Sequence, residues 1–331
     1  MSTKEVVVIT GATAGIGRAL ARRFAREGAK IALLARGPHK LAKTLTEVID
    51  LGGEALAIEI DVADPDAVED AAKQIEQDLG PIDIWINNAA VGVFGRINDM
   101  TPKEIQRVTD VNYHGAVWGT KAALTRMKKR GRGTIVQVGS VLGYRALPLL
   151  TAYSAAKFAL RGFTEGLRVE LLHDGIDVHL TMVHLPAINT PFFTWARNLM
   201  PRQPRPLPPI YQPEIAADVI HWAAHSRRRD VFMGLSTVAA ITANKLAPAL
   251  LDRLLAWFAV DFQQTSEPTP LDQDGNLFEP VEVDLGIHGK FDAFARSRAP
   301  LAKLIARLSG AGFQVLVVGT AVVLVGRALF R

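Results

Sequence analysis

The stretch Val6-Val7-Val8-Ile9-Thr10-Gly11-Ala12-Thr13-Ala14-Gly15-Ile16-Gly17 decides the fold. Its unbroken β-branched run reads as a strand covered on both faces, because a half-exposed strand would alternate apolar with polar residues. Glycines follow at positions 11, 15 and 17, and a helical pattern then runs through Ala29. Between a buried strand and a helix, glycines permit a tight turn and let the backbone approach a pyrophosphate at the helix N-terminus. The spacing G-x-x-x-G-x-G is one residue longer than the usual dinucleotide fingerprint. By itself it fits a nucleotide site or a structural turn; its position between strand and helix favours the nucleotide.

Downstream, Ile31-Ala32-Leu33-Leu34-Ala35 reads as the next strand and ends at Arg36. An acid there would bind the ribose hydroxyls of NAD, whereas a guanidinium suits the 2′-phosphate of NADP. With no acid at either place the sequence favours NADP, with NAD still open and a plain surface arginine the alternative. Two further strands deliver Asp61-Val62 and Asn87-Asn88-Ala89-Ala90 to their carboxyl ends. There Asp61 suits an adenine amino group, although Asp and Asn also serve as local turn residues. Alternating strand and helix patterns predict an α/β fold: a mostly parallel sheet with helices on both faces.

The chemistry lies in the middle of the chain. Gly133 to Ser140 reads as another buried strand with a hydroxyl at its end. In Thr151-Ala152-Tyr153-Ser154-Ala155-Ala156-Lys157 the tyrosine and lysine stand four apart, which places them on one helix face. An ammonium beside a phenol favours the phenolate and suits proton transfer, although such pairs also occur on solvated helix faces. Asn112 interrupts a helical stretch where asparagine is disfavoured, so a specific contact is expected of it.

Taken in order, these elements resemble the short-chain dehydrogenase/reductase (SDR) family over roughly residues 4 to 235. Thr10 to Gly17 is similar to its glycine motif, Asn87 to Ala90 to its Asn-Asn-Ala-Gly motif with alanine last, and Asn112, Ser140, Tyr153 and Lys157 to its catalytic tetrad. The resemblance implies a doubly wound Rossmann-type sheet of about seven strands and an NAD(P)-dependent oxidoreductase. It implies that Tyr153 is the acid/base, that Lys157 lowers its pKa and binds the nicotinamide ribose, that Ser140 donates to the substrate oxygen, and that Asn112 holds a relay water. It further implies cofactor contacts from Gly11, Ile16, Gly17, Arg36, Asp61, Val62, Asn88, Tyr153, Lys157 and Thr190. The family's Pro-Gly after the sixth strand is here Pro186-Ala187, and a base common in NADP-preferring relatives is replaced by Ala14. That leaves phosphate recognition to Arg36, with Arg18 or a nearby hydroxyl in support. The same fold also admits a non-catalytic dinucleotide sensor, or an epimerase or dehydratase without net cofactor turnover.

Composition narrows the classes. The 331 residues are 49% hydrophobic and contain no cysteine, which excludes disulfides and thiolate chemistry. The net charge of +5 comes without the basic, aromatic-interleaved tract of a nucleic-acid binder. The N-terminus enters a strand directly, so no signal peptide is expected and the cytoplasm is the expected location. A substrate loop near 191–213, with Phe192, Phe193, Trp195, Leu199 and Met200, and the segment 142–150 predict an apolar pocket for a bulky ketone or secondary alcohol. Arg145 and His184 read as a surface arginine and a packed histidine.

The predicted organisation is a dehydrogenase domain over 1–235, a helical extension over 236–262, a polar linker over 263–289 and a basic amphipathic then apolar segment over 290–331. Leu308 to Gly326 contains 19 residues without a charge, about 28 Å as a helix and close to the bilayer core. The tail is therefore expected either to anchor the chain at the cytoplasmic face of a membrane or to pack in a homo-oligomer.

Overall fold

In a computed structural model, residues 4–270, 275–281 and 283–308 are described. The strands β1 (Val6–Thr10), β2 (Lys30–Ala35), β3 (Glu54–Glu59), β4 (Ile84–Asn87), β5 (Thr134–Ser140), β6 (His179–Leu185) and β7 (Asp230–Phe232) form one parallel sheet. Its order is β7-β6-β5-β4-β1-β2-β3. Val8 of β1 stands between Ala32 of β2 and Trp85 of β4. The strand order reverses at this junction, and such a switch point opens a crevice at the carboxyl ends of the strands.

Helices cover both faces. On one lie α1 (Gly15–Ala25), α2 (Pro38–Asp50) and, after the short α7 (Phe192–Trp195), α8 (Pro213–Ala224); on the other lie α3 (Pro65–Asp78), α4 (Pro102–Thr109), α5 (Gly115–Arg130) and α6 (Thr151–His173). The run at β1 serves both layers by strand alternation. Val7 and Ile9 join the apolar cluster of Leu20, Phe24 and Ile220, whereas Val6 and Val8 join that of Ala72, Ile75 and Ala123. Each fully buried Val, Leu, Ile or Phe among them contributes roughly 1.5–3 kcal/mol of transfer free energy. Helix α1 stops at Ala25, short of the expected Ala29, because the chain turns through Gly28 at φ +74°. The start of α4 is fixed by a capping box between Thr101 and Glu104.

Beyond β7 the expected helical extension is present, and the segments after it differ from their sequence reading. The extension is two helices, α9 (Leu235–Leu246) and α10 (Pro248–Phe262), divided where Pro248 opens the second. The segment expected as a polar linker is docked on the domain. Gln264–Pro268 pairs antiparallel with Arg202–Pro204, and Leu277 is fully buried. Its prolines and acids conceal this, since the docking groups are largely main-chain carbonyls. Of the basic segment, Ala295–Arg296 adds an edge to Ile210–Tyr211, and only α11 (Pro300–Leu308) is helical among the described residues. It buries Ala302, Ile305 and Ala306 and exposes Leu301, Leu304 and Leu308. Among the described residues no helix is long and apolar enough to cross a membrane. The uncharged stretch expected to span one lies, after Leu308, outside the described residues.

Candidate active site

A cavity of about 490 Å³ opens at the switch point and runs from the glycine turn to α10. Gly11, Gly15 and Ile16 line it. Gly11 sits at φ +65°, where a side chain would strain the turn, and a Cβ on Gly17 would stand 2.0 Å from the Gly11 carbonyl. Gly17 therefore faces the turn and not the cavity; it contributes closeness, not a contact. Asn88 braces the same turn by donating to the carbonyls of Thr10 and Gly11 at 2.9 and 3.3 Å. Helix α1 has no side-chain cap, so its N-terminal dipole faces the cavity. A tight glycine approach and a helix N-terminus without a side-chain cap fit a dinucleotide pyrophosphate.

Ser140, Tyr153 and Lys157 all line the cavity. Ser140 ends β5, and its Oγ accepts from the Leu142 amide at 3.1 Å, leaving the hydroxyl proton to donate elsewhere. On α6, Lys157 Nζ donates to the Val138 carbonyl at 2.9 Å and stands 5.5 Å from the centre of the Tyr153 ring. Strand β5 thus carries both the serine and the carbonyl that anchors the lysine. Burial pushes the Tyr153 phenol above its ordinary value and the Lys157 ammonium down to about 8. The expected lowering of Tyr153 by its neighbour is not what this arrangement gives, because loss of hydration disfavours both charged forms.

Asn112 sits in a π-turn, Asp110–His114, which is the interruption its sequence position announces. Its Oδ1 accepts from the Val91 amide and its Nδ2 donates to the Val91 carbonyl, both at 2.8 Å. The side chain thus holds the loop after Asn88. The neighbouring Asn87 is likewise structural. It accepts from the Trp85 indole and donates to Thr120 and Gln137, which closes a buried network between β4, β5 and α5.

At the end of the cavity beside β2 and β3, Arg36, Asp61 and Val62 line it. Arg36 donates to the carbonyls of Asn276, Leu277 and Phe278. Burial, and then the nearby Arg107 cation, hold its pKa below the usual arginine value. Asp61 is bridged by Arg107. Arg18 is no phosphate ligand here: it is buried and paired with Glu47 and Asp284, each at 2.6 Å. Thr190 lines the cavity and packs on the glycine turn, since a Cβ on Gly15 would meet its Cγ2 at 2.9 Å. Ala187, in place of the family's glycine, lies in a short strand paired with Ile210.

The opposite wall is apolar. Leu142, Leu147, Leu150, Phe192, Phe193 and Trp195 line it, as the loop composition predicts, whereas Leu199 and Met200 do not. Sequence reasoning missed Leu251 and Leu255 of α10, whose i, i+4 spacing was the available signal, and Asn276, Pro280 and Val281, which carried none. Arg145 pairs with Asp252 at 2.6 Å, and His184 is buried against Asp230 at 3.0 Å; burial chiefly keeps this histidine below its ordinary pKa.

This sheet, turn and hydroxyl-lined cavity are those of a dinucleotide-dependent oxidoreductase, and comparison with known proteins gives the family. Residues 5–198 match the short chain dehydrogenase family, and the chain belongs to it. It is 34% identical over 309 residues, 92% of this chain and 85% of the relative, to the uncharacterized oxidoreductase YxnA of Bacillus subtilis. It is 35% identical to the 3-dehydrosphinganine reductase of Danio rerio, over 65% of this chain and 66% of the other. Among solved structures it resembles an alcohol dehydrogenase from Thermococcus sibiricus complexed with 5-hydroxy-NADP. The TM-score is 0.61 at 27% identity, covering 70% of this chain and 96% of that one. The chain is thus an NAD(P)-dependent dehydrogenase/reductase acting on a small-molecule substrate.

Proposed function

We propose that the chain transfers hydride between NADP(H) and a ketone or secondary alcohol on a bulky apolar body, with Tyr153 as acid/base. The convergence of Tyr153, Ser140 and Lys157 on one cavity with an apolar far wall carries this reading. The nicotinamide supplies the hydride, or takes it up. Tyr153, kept neutral by burial, holds the proton that a reduced carbonyl oxygen needs. Ser140 donates to the same oxygen, where negative charge develops. Lys157, tied to Val138, positions its charge behind the phenol and offers a donor to the nicotinamide ribose. Asn112 acts as a positioning residue through Val91.

The preference for NADP rests on Arg36, and Arg36→Asp is expected to shift it towards NAD; unchanged preference rejects that role. The relatives named 3-ketodihydrosphingosine and 3-dehydrosphinganine reductase support a lipid-like ketone. Incubation with NADPH and a panel of ketones, 3-ketodihydrosphingosine included, followed at the nicotinamide absorbance, tests the activity. Binding of NADPH without oxidation by any ketone would favour the sensor or the epimerase/dehydratase reading.

The exposed leucines of α11 lead into the uncharged tail, which supports membrane association. Full-length chain should sediment with anionic vesicles, and a chain ending near residue 285 should not. Equal behaviour of the two would refute the anchor.

A further inference from the structure

Helix α10 (Pro248–Phe262) is apolar on nearly every side, yet only Leu255 and Ala259 of its 15 residues are buried. Helices apolar all round occur where protein or lipid covers them. Leu251 and Leu255 line the cavity. Away from it Leu250, Leu254 and Trp257, which helical spacing places on one face, are 68%, 47% and 81% exposed. The preceding α9 repeats the arrangement: Ala240 lines the cavity, while Leu235, Ala239, Ala243 and Leu246 form an exposed stripe at helical spacing. Between Leu235 and Phe262 the charged residues are Lys245, Asp252, Arg253 and Asp261 alone. Asp252 is paired with Arg145 of the loop after Ser140. Asp261 ends the α10 stripe one turn past Trp257, and Lys245 and Arg253 are exposed.

We infer that the outer face of α9 and α10 docks on a lipid monolayer and seats the apolar wall of the cavity in the layer where an apolar ketone dissolves. The inference rests on the membrane association and lipid-like substrate proposed above and names the surface that makes the contact. At about 22 Å, α10 is too short to span a bilayer. A short helix with Leu and Trp outward and cations beside them lies instead in the interface. Lys245 and Arg253 supply the charge that anionic headgroups complement. The tail points to the same side of the molecule. Helix α11 packs Ile305 on Val238 and Ile241 of α9. Its exposed Leu301, Leu304 and Leu308 lead into the uncharged residues up to Gly326. An anchor in that stretch therefore begins from the helix packed on α9, and it holds α9 and α10 against the bilayer that takes it. A ketone dissolved in the monolayer then meets the cavity wall without first crossing water.

Trp257 is the probe, in the full chain. Vesicles of phosphatidylcholine and phosphatidylglycerol with brominated acyl chains should quench tryptophan emission, and Trp257→Phe should lose most of that quenching. The other tryptophans, Trp85, Trp118, Trp195 and Trp222, are buried or half-buried. Equal quenching in both proteins, with the chain bound to the vesicles, would leave the tail as the contact and overturn the docking of α10 but not the anchor. Absence of vesicle binding overturns both. A lipid-free dimer that Leu254→Glu disperses, without quenching by vesicles, assigns the face to a second copy and also overturns the proposal. Leu250→Gln combined with Leu254→Gln should raise KM for a long-chain ketone held in vesicles by roughly ten-fold. Turnover of a short, water-soluble ketone should stay as it is, and an equal rise in both KM values refutes delivery from the monolayer. Quenching at Trp257 without turnover of any ketone removes the reductase reading and upholds the docking.

Discussion

Lys157→Met is expected to uncouple stability from pH while destroying turnover. Lys157 is buried, with the Val138 carbonyl as its recorded partner, and its pKa lies at about 8 against an ordinary 10.5. Holding the ammonium inside therefore costs about 3 kcal/mol relative to the unfolded chain. The folded pKa is depressed, so between about pH 8 and 10.5 the unfolded chain binds a proton that the folded chain has released. Stability must rise with pH across that window and be flat below it. From pH 7 to 9.5 the wild-type chain should gain about 2 kcal/mol from this one group. Methionine is close to lysine in length and carries no charge, so the variant should lack the rise. At pH 7 the relieved charge is partly offset by an unpartnered Val138 carbonyl, worth about 1–3 kcal/mol, and the net change should be small. Urea unfolding of both proteins at the two pH values measures the double difference. Parallel pH profiles would refute the assignment of a costly buried charge.

Three other outcomes follow from the same geometry. Tyr153→Phe should lower turnover by about 10² to 10⁴-fold, the usual worth of a positioned proton donor, with NADPH titrating as before; retained turnover would sink the mechanism. Gly17→Ala drives a Cβ to 2.0 Å from the Gly11 carbonyl and should cost about 1–3 kcal/mol of overpacking, along with dinucleotide affinity; an unchanged urea midpoint and Kd would show that the turn yields freely. Glu47 is held at about pKa 2, because hydrogen bonds from Arg18 and Arg22 outweigh the burial that opposes its charge. Its folded pKa is depressed, so its contribution is complete above its unfolded value and disappears as the pH falls towards 2. Glu47→Gln should flatten the acid limb of a thermal-stability profile, and an unaltered limb would contradict the pairing.

What the sequence disclosed depended on whether side chains or main chain did the work. Val6 to Gly17 was readable because continuous apolar side chains and obligatory glycines leave few alternatives. Tyr153 and Lys157 were readable by helical spacing, and Asn112 as an anomaly, though nothing announced Val91 as its partner. Arg36 was visible at a strand end, but its acceptors are carbonyls of Asn276, Leu277 and Phe278, which any residue carries. For that reason residues 275–281 looked like linker. The sign of the Tyr153 shift was missed for a related cause: the helix face shows the neighbouring ammonium, while the loss of water around both groups emerges only from tertiary packing.

The division of the cavity wall has an evolutionary consequence. Leu251 and Leu255 border the apolar side of the cavity from α10, outside the two apolar clusters that hold the sheet together. Ser140, Tyr153 and Lys157 are held by β5 and α6 instead. Mutation in the extension can therefore reshape what enters without touching what reacts. A lineage carrying this fold can change diet by drifting in one peripheral helix, and its chemistry need never be reinvented.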